Sequence, residues 1–227
     1  AEPILRNNGC LIKFIGDASL HVHGAPIQEE QDPDHVLAGV RTGLEMLHAV
    51  ELFNIELEKE GKPKVGCGLG INTGPTLIGN IGSKERFGYD VLGDSVSLTA
   101  RLESQTKNYG QLIIISEFTE KRVNKQFFTI PLDCIAVKGK TEPVPIYELV
   151  SRKGDVTGSD SEFLEMFGKA VNSYLEKDWE KALFRFEKLL GLRPDDQACK
   201  IFIERCREYR ENPPGHDWAG EYVFLHK

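Results

Sequence analysis

Apolar residues change their spacing several times along this chain, and each change marks an element. From Cys10 to His23 they fall at strand spacing around Gly16-Asp17, a two-residue hairpin signal flanked by Ile12, Phe14, Leu20 and Val22. A strand, a tight turn and a second strand are predicted there. After Pro26, the pair Asp32-Pro33 can start a helix, and Val36, Val40, Leu44, Leu47 and Val50 recur at helical spacing until Gly61 and Pro63 stop it. This helix is expected to cover one face of a sheet. Val65, Cys67, Leu69 and Ile71 then alternate with Gly66, Gly68 and Gly70, a strand pattern with one apolar face and one face without side chains. Another element is expected to pack very close to the bare face.

Thr73-Gly74-Pro75 signals a turn into a strand from Thr76 to Ile81, and Asp94 is positioned to cap a helix running to about Gln105, with Val96, Ala100 and Leu102 as core candidates. A strand over Leu112 to Ile115, a short helix from Ser116, and strands near Phe127 to Val137 and Pro145 to Leu149 follow. The class is α+β, a sheet with helices packed on it. Residues 153–161 are rich in Gly, Ser and Asp and break every periodicity, so they separate a domain at 1–152 from a helical segment at 162–227. In that segment Ala170, Tyr174, Trp179, Ala182, Phe186 and Pro194 fall close to a tetratricopeptide pattern. A lone repeat cannot bury its own face; it is expected to pack on the preceding domain, on a following helix from Gln197 to Arg210, or on another subunit.

Composition narrows the functional classes. The 227 residues, 40% of them hydrophobic, suffice for a packed core, and a net charge of -7 provides no basic stripe for nucleic acid. Cys10, Cys67, Cys134, Cys199 and Cys206 make neither a CxxC pair nor an even disulfide framework, so they read as reduced thiols in the cytoplasm. No run approaches the roughly 20 apolar residues of a membrane helix. Because the chain opens on Ala1 and Ala1 to Asn8 carry no start signal, a preceding segment is expected, and a membrane anchor would belong there.

Lys13-Phe14-Ile15-Gly16-Asp17-Ala18, then Gly93-Asp94-Ser95-Val96-Ser97-Leu98-Thr99-Ala100-Arg101-Leu102-Glu103, and then Val137-Lys138-Gly139-Lys140, resemble the class III adenylyl/guanylyl cyclase signature. Gly74-Pro75 and Ile78-Gly79-Asn80-Ile81-Gly82 match that family's central hairpin, and the resemblance spans roughly Gly9 to Val150. It implies an antiparallel-rich sheet with a ferredoxin-like core, a homodimer with active sites shared between subunits, and conversion of ATP to cyclic AMP and pyrophosphate with Mg²⁺ or Mn²⁺. The residues suit that chemistry. Attack of a ribose hydroxyl on the α-phosphorus needs charge neutralisation and a grip on the base.

Asp17, on a tight turn, offers a hard carboxylate to a cation, and the resemblance makes it one of two metal-binding aspartates. Lys13 and Asp90 stand where adenine-selective members carry their base-reading pair; the alternative for them is a surface salt bridge worth about 0–1 kcal/mol. Ser97 and Arg101, four apart on one helix, share a face. Arg101 matches the transition-state arginine and Lys138 the triphosphate lysine. Ser97 replaces the family's usual Asn, a departure that implies slower turnover or a water in its place. His21 and His23 alternate on a strand face, but two ligands without a third are an incomplete metal site.

Three rival readings stand beside the adenylyl cyclase: a guanylyl cyclase, a degenerate cyclase-like module that binds nucleotide without turnover, and a protein-docking role for the helical tail. No second metal-binding aspartate precedes Gly9, so the chain as it stands is expected to hold cations weakly, to lack activity, and to expose the apolar face of its first hairpin.

Overall fold

Ile113, Ile114 and Ile115 are all fully buried, because the strand that carries them lies inside a sheet covered on both faces. The computed structural model describes the chain apart from residues 26–33, 84, 86, 111, 136–142, 156–157, 217, 219 and 221–227. Its main sheet has the order β3 (Leu69–Ile71), β6 (Ile113–Ser116), β8 (Val144–Arg152), β7 (Phe127–Ile135). β3 and β6 are parallel, whereas β6–β8 and β8–β7 are antiparallel.

The pleat sorts side chains to two faces. On one, Ile113, Ile115, Phe127 and Leu149 meet Val36, Leu37 and Val40 of α2 (His35–Lys59) and Val123 of α4 (Glu117–Val123). On the other, Ile114, Ile130, Leu132, Val144 and Ile146 meet Leu98, Leu102 and Tyr109 of α3 (Asp94–Tyr109). The same core takes in Phe163 and Phe167 of α5 (Ser159–Leu175), Phe186 of α6 (Trp179–Leu192) and Phe202 of α7 (Gln197–Glu211). Two of the expected partners of the helical tail, the preceding domain and α7, share this core with it. Asp178 and Asp196 cap α6 and α7 by accepting the amides of Lys181 and Cys199.

Two hairpins complete the α+β architecture: β1 (Gly9–Ile15) with β2 (Ala18–His23), and β4 (Leu77–Gly82) with β5 (Phe87–Leu92). No helix among the described residues is long and apolar enough to cross a membrane.

Several elements depart from the sequence-based expectation. Ala1 to Asn8 contain a short helix, α1 (Glu2–Arg6), whose Ile4 is buried and whose Pro3 sits where a helix start tolerates it. The expected strand over 65–71 shrinks to Leu69–Ile71, because the Asn54 side chain takes both backbone groups of Val65, which lie outside any ladder. The bare glycine face is packed as foreseen: a Cβ on Gly68 or Gly70 would overlap α3 at Thr106, or at the backbone of Thr99 and Glu103. Gly93, with φ +142°, is the N-cap of α3, so Asp94 is its first residue and not its cap. β5 has no counterpart among the expected strands, and α5 starts at Ser159, within the expected linker. Asp32-Pro33 and the end of the predicted strand at Val137 lie outside the described residues.

Candidate active site

The β1–β2 hairpin closes with Ile15 opposite Ala18, leaving Gly16 and Asp17 at the tip. Gly16 takes φ +64°, which a side chain would strain, and this frees Asp17 to stand exposed at the turn. Lys13 lies four residues earlier on β1. Its Nζ donates to Asp90 Oδ2 on β5 at 2.6 Å, joining residues 77 apart in sequence. Asp90 Oδ1 also accepts the Val91 amide at 2.8 Å. The Lys13 hydrogen bond, followed by the Val91 amide, holds the Asp90 carboxyl below the usual carboxylate range.

With side chains 44% and 31% exposed, Lys13 and Asp90 remain open to a ligand while paired. An ammonium has three donors and a carboxylate several acceptor positions, so both can keep their mutual bond and still present one donor and one acceptor outward.

Ser97 and Arg101 sit one and two turns into α3, Ser97 exposed and Arg101 half-buried. The structure joins Lys13 to Asp90 but makes no such contact between that pair and Ser97. The start of α3 is held by a network that sequence reasoning missed. Asn72, just past β3, donates from Nδ2 to the Ser95 carbonyl at 3.1 Å and accepts from Ser116 Oγ at 2.6 Å. Ser95 Oγ donates to the Pro75 carbonyl at 2.9 Å, and a Cβ on Gly74 would overlap that same hydroxyl. Asn72-Thr73-Gly74-Pro75 thus does more than turn the chain: it ties the end of β3 to the first turn of α3. Lys138 lies outside the described residues.

A model of the adenylate and guanylate cyclase catalytic domain matches residues 4–151. The chain belongs to that family. The chain is 32% identical over 211 residues to the terminal-differentiation-specific adenylate cyclase of Dictyostelium discoideum, a match covering 91% of this chain and 10% of that protein. It spans 22% and 28% of the adenylate cyclases of Rhizobium meliloti and Anabaena cylindrica. Among solved structures, the adenylyl cyclase CyaB of P. aeruginosa superposes with TM-score 0.60 at 29% identity, covering 69% of this chain and 79% of that one. The guanylate cyclase domain of RhGC from Catenaria anguillulae, solved with GTP, gives TM-score 0.56 at 30% identity, covering 67% and 78%.

Asp17 contributes one carboxylate at the hairpin tip, and no group of three His, Cys, Asp or Glu side chains gathers as a metal site among the described residues. One carboxylate does not match a site for two ions. His21 and His23 stand with ring centroids 5.7 Å apart, and burial, then the neighbouring His23, pushes His21 down to about 4, as in a packed strand face.

Proposed function

We propose that this domain is the catalytic unit of an adenylyl cyclase, acting as a homodimer with its active sites shared between subunits. The observation that carries the reading is the Lys13–Asp90 pair. Two residues far apart in sequence meet on two hairpins, partly exposed, and together offer one donor and one acceptor. Adenine presents that complement, an exocyclic amine and a ring nitrogen. The similarity to several curated adenylate cyclases supports the same choice.

In this reading the ribose 3′-oxygen bonds to the α-phosphorus as the bond to the pyrophosphate oxygen breaks, and the 3′ proton is released. Arg101, reaching in from the partner's α3, meets charge as it develops on the phosphoryl oxygens. Ser97 on the same face steadies the ribose, Lys138 holds the triphosphate, and Asp17 would lend its carboxylate to a cation. The α5–α6 pair is read as a single tetratricopeptide-like hairpin used inside the chain, with Ala170, Tyr174, Ala182 and Phe186 buried in the shared core.

The test is incubation of the full chain with ATP or GTP, with Mg²⁺ or Mn²⁺ added, and chromatographic detection of the cyclic product. Any cyclic product should be cyclic AMP from ATP in preference to cyclic GMP from GTP, and ATP should bind more tightly than GTP even where Asp17 alone holds cations too weakly for turnover. The Lys13→Glu/Asp90→Cys variant should lose that preference steeply, because the adenine edge then loses both the donor and the acceptor that read it. A native preference for GTP, or a variant that keeps its preference for ATP, would remove these two residues as base readers.

A further inference from the structure

The end of α3 is tied to the helical tail by a buried polar triad. Tyr109, the last residue of α3, is fully buried, and its hydroxyl donates to Asp133 on β7. Arg205 of α7 reaches both: Nη1 donates to Asp133 Oδ2 at 2.9 Å and Nη2 to the Tyr109 hydroxyl at 3.0 Å. The Arg205 and Asp133 side chains are 2% and 1% exposed. A second contact meets α3 at the same end. Gly110, its left-handed C-cap at φ +66°, leaves so little room that a Cβ there would lie 2.9 Å from Gln197 Cβ at the start of α7.

We infer that Arg205 is a positioning residue for α3, fixing from the helical tail the helix that bears Ser97 and Arg101. The inference rests on the proposed function, because only there does that helix face do chemistry. Asn72 and Ser95 pin the first turn of α3, but toward its other end the apolar contacts of the helix permit it to roll, and there a planar guanidinium bonded to both a strand carboxylate and the helix's terminal hydroxyl fixes it. A catalytic arginine two turns from the start of a rigid helix inherits that setting. The matched family model stops at residue 151, short of α7. The similarity to the Dictyostelium discoideum protein covers 91% of this chain and so reaches into the tail helices, as expected if tail and catalytic domain work together.

Removing Arg205 alone would leave a buried, uncompensated carboxylate, so the informative variant is Arg205→Met/Asp133→Asn in the full chain. The amide oxygen still accepts from the Cys134 backbone N–H, the amide nitrogen can donate to the Tyr109 hydroxyl oxygen in place of the bond the carboxylate accepted, and the tie to α7 is lost. Thermal unfolding, hydrogen exchange of α3 amides and steady-state cyclase kinetics are measured together. A melting point near the native one is expected, with faster exchange over the last turns of α3 and kcat lowered about tenfold at unchanged KM. Native exchange and native kcat in the folded variant would overturn the inference and leave the triad as a stabilising feature alone. Arg205→Lys is the companion: it keeps Asp133 paired but cannot fork to Tyr109, and a native kcat there would also overturn the idea. If the native chain neither makes cyclic AMP nor binds ATP in preference to GTP, the proposed function fails, while the exchange of α3 still decides whether Arg205 holds it.

Discussion

Gly70→Ala should be the most damaging small substitution in the catalytic half, for a reason that can be worked out atom by atom. Gly70 lies on β3 opposite Ile114, and its missing side chain is what lets α3 lie against the sheet. A Cβ there would overlap the Glu103 nitrogen and the Thr99 carbonyl oxygen and come within 3.0 Å of Leu102 Cβ. Two of those three neighbours are helix backbone, which cannot turn aside, so α3 must retreat as a body, by roughly an ångström to restore ordinary contact. Overpacking of this kind costs about 1–3 kcal/mol, and the upper end applies where nothing flexible yields. Gly68 faces the Thr106 side chain, which can give way in part, so Gly68→Ala should cost about 1–2 kcal/mol. Gly66 has open space around its missing Cβ, and Gly66→Ala should stay within about 0.5 kcal/mol of native. None of the three has positive φ, so backbone strain does not confuse the series. Urea unfolding followed by far-ultraviolet circular dichroism gives the three values on one scale. If Gly70→Ala proves no worse than Gly66→Ala, the close approach of α3 to β3 is wrong, and with it the placement of Ser97 and Arg101.

Arg101→Ala should lower kcat by about 10² while KM changes much less, since its charge is met mainly in the transition state; a matching rise in KM would instead mark it as a ground-state ligand. Ser97→Asn should raise turnover, and a variant no faster than native would show a site adapted to serine. Burial, reinforced by Asp196, pushes the Glu148 carboxyl from 4.5 up to about 8, so the folded state holds a proton that the unfolded chain releases. Stability should accordingly be greatest below pH 4.5 as far as this group is concerned, fall as pH rises toward 8 by at most about 1.4 kcal/mol per pH unit, and lose that slope in Glu148→Gln, as read from melting points across the range. Truncation after Gly154 should yield aggregated protein that binds hydrophobic dyes, because Ile114, Ile130, Leu132, Val144 and Ile146 lose their cover and Asp133 loses Arg205. A soluble 1–154 fragment with a single cooperative transition would show that the sheet does not depend on the tail.

Much of the chemistry was legible in the sequence because its signals are local. Gly16-Asp17 between two apolar runs is a turn whatever the rest of the chain does, and Ser97 and Arg101 share a helix face because four residues make about one turn. The alternating glycines announced a close neighbour without naming it. Their own length misled, however: Val65 and Cys67 keep the strand pattern, yet a strand needs a ladder partner, and Asn54 occupies the Val65 backbone instead. α1 was missed because five residues around Pro3 carry too short a pattern to register, and β5 because Phe87 to Leu92 mixes exposed and buried positions without strict alternation.

The sequence by itself, through its resemblance to the cyclase family, picked out the candidates for a nucleotide site: Lys13, Asp90, Asp17 and Arg101. Only the tertiary structure decided which of them meet. Lys13 and Asp90 are 77 residues apart, and nothing in a one-dimensional pattern encodes a 2.6 Å bond between two hairpins. The same is true of Arg205, which reads as one more charge on a polar helix face until folding places it, nearly excluded from water, between a strand carboxylate and the end of α3. Local steric rules and periodicity act over a few residues and survive in the sequence. Burial and pairing are sums over distant neighbours, and they come into being only when the chain closes on itself.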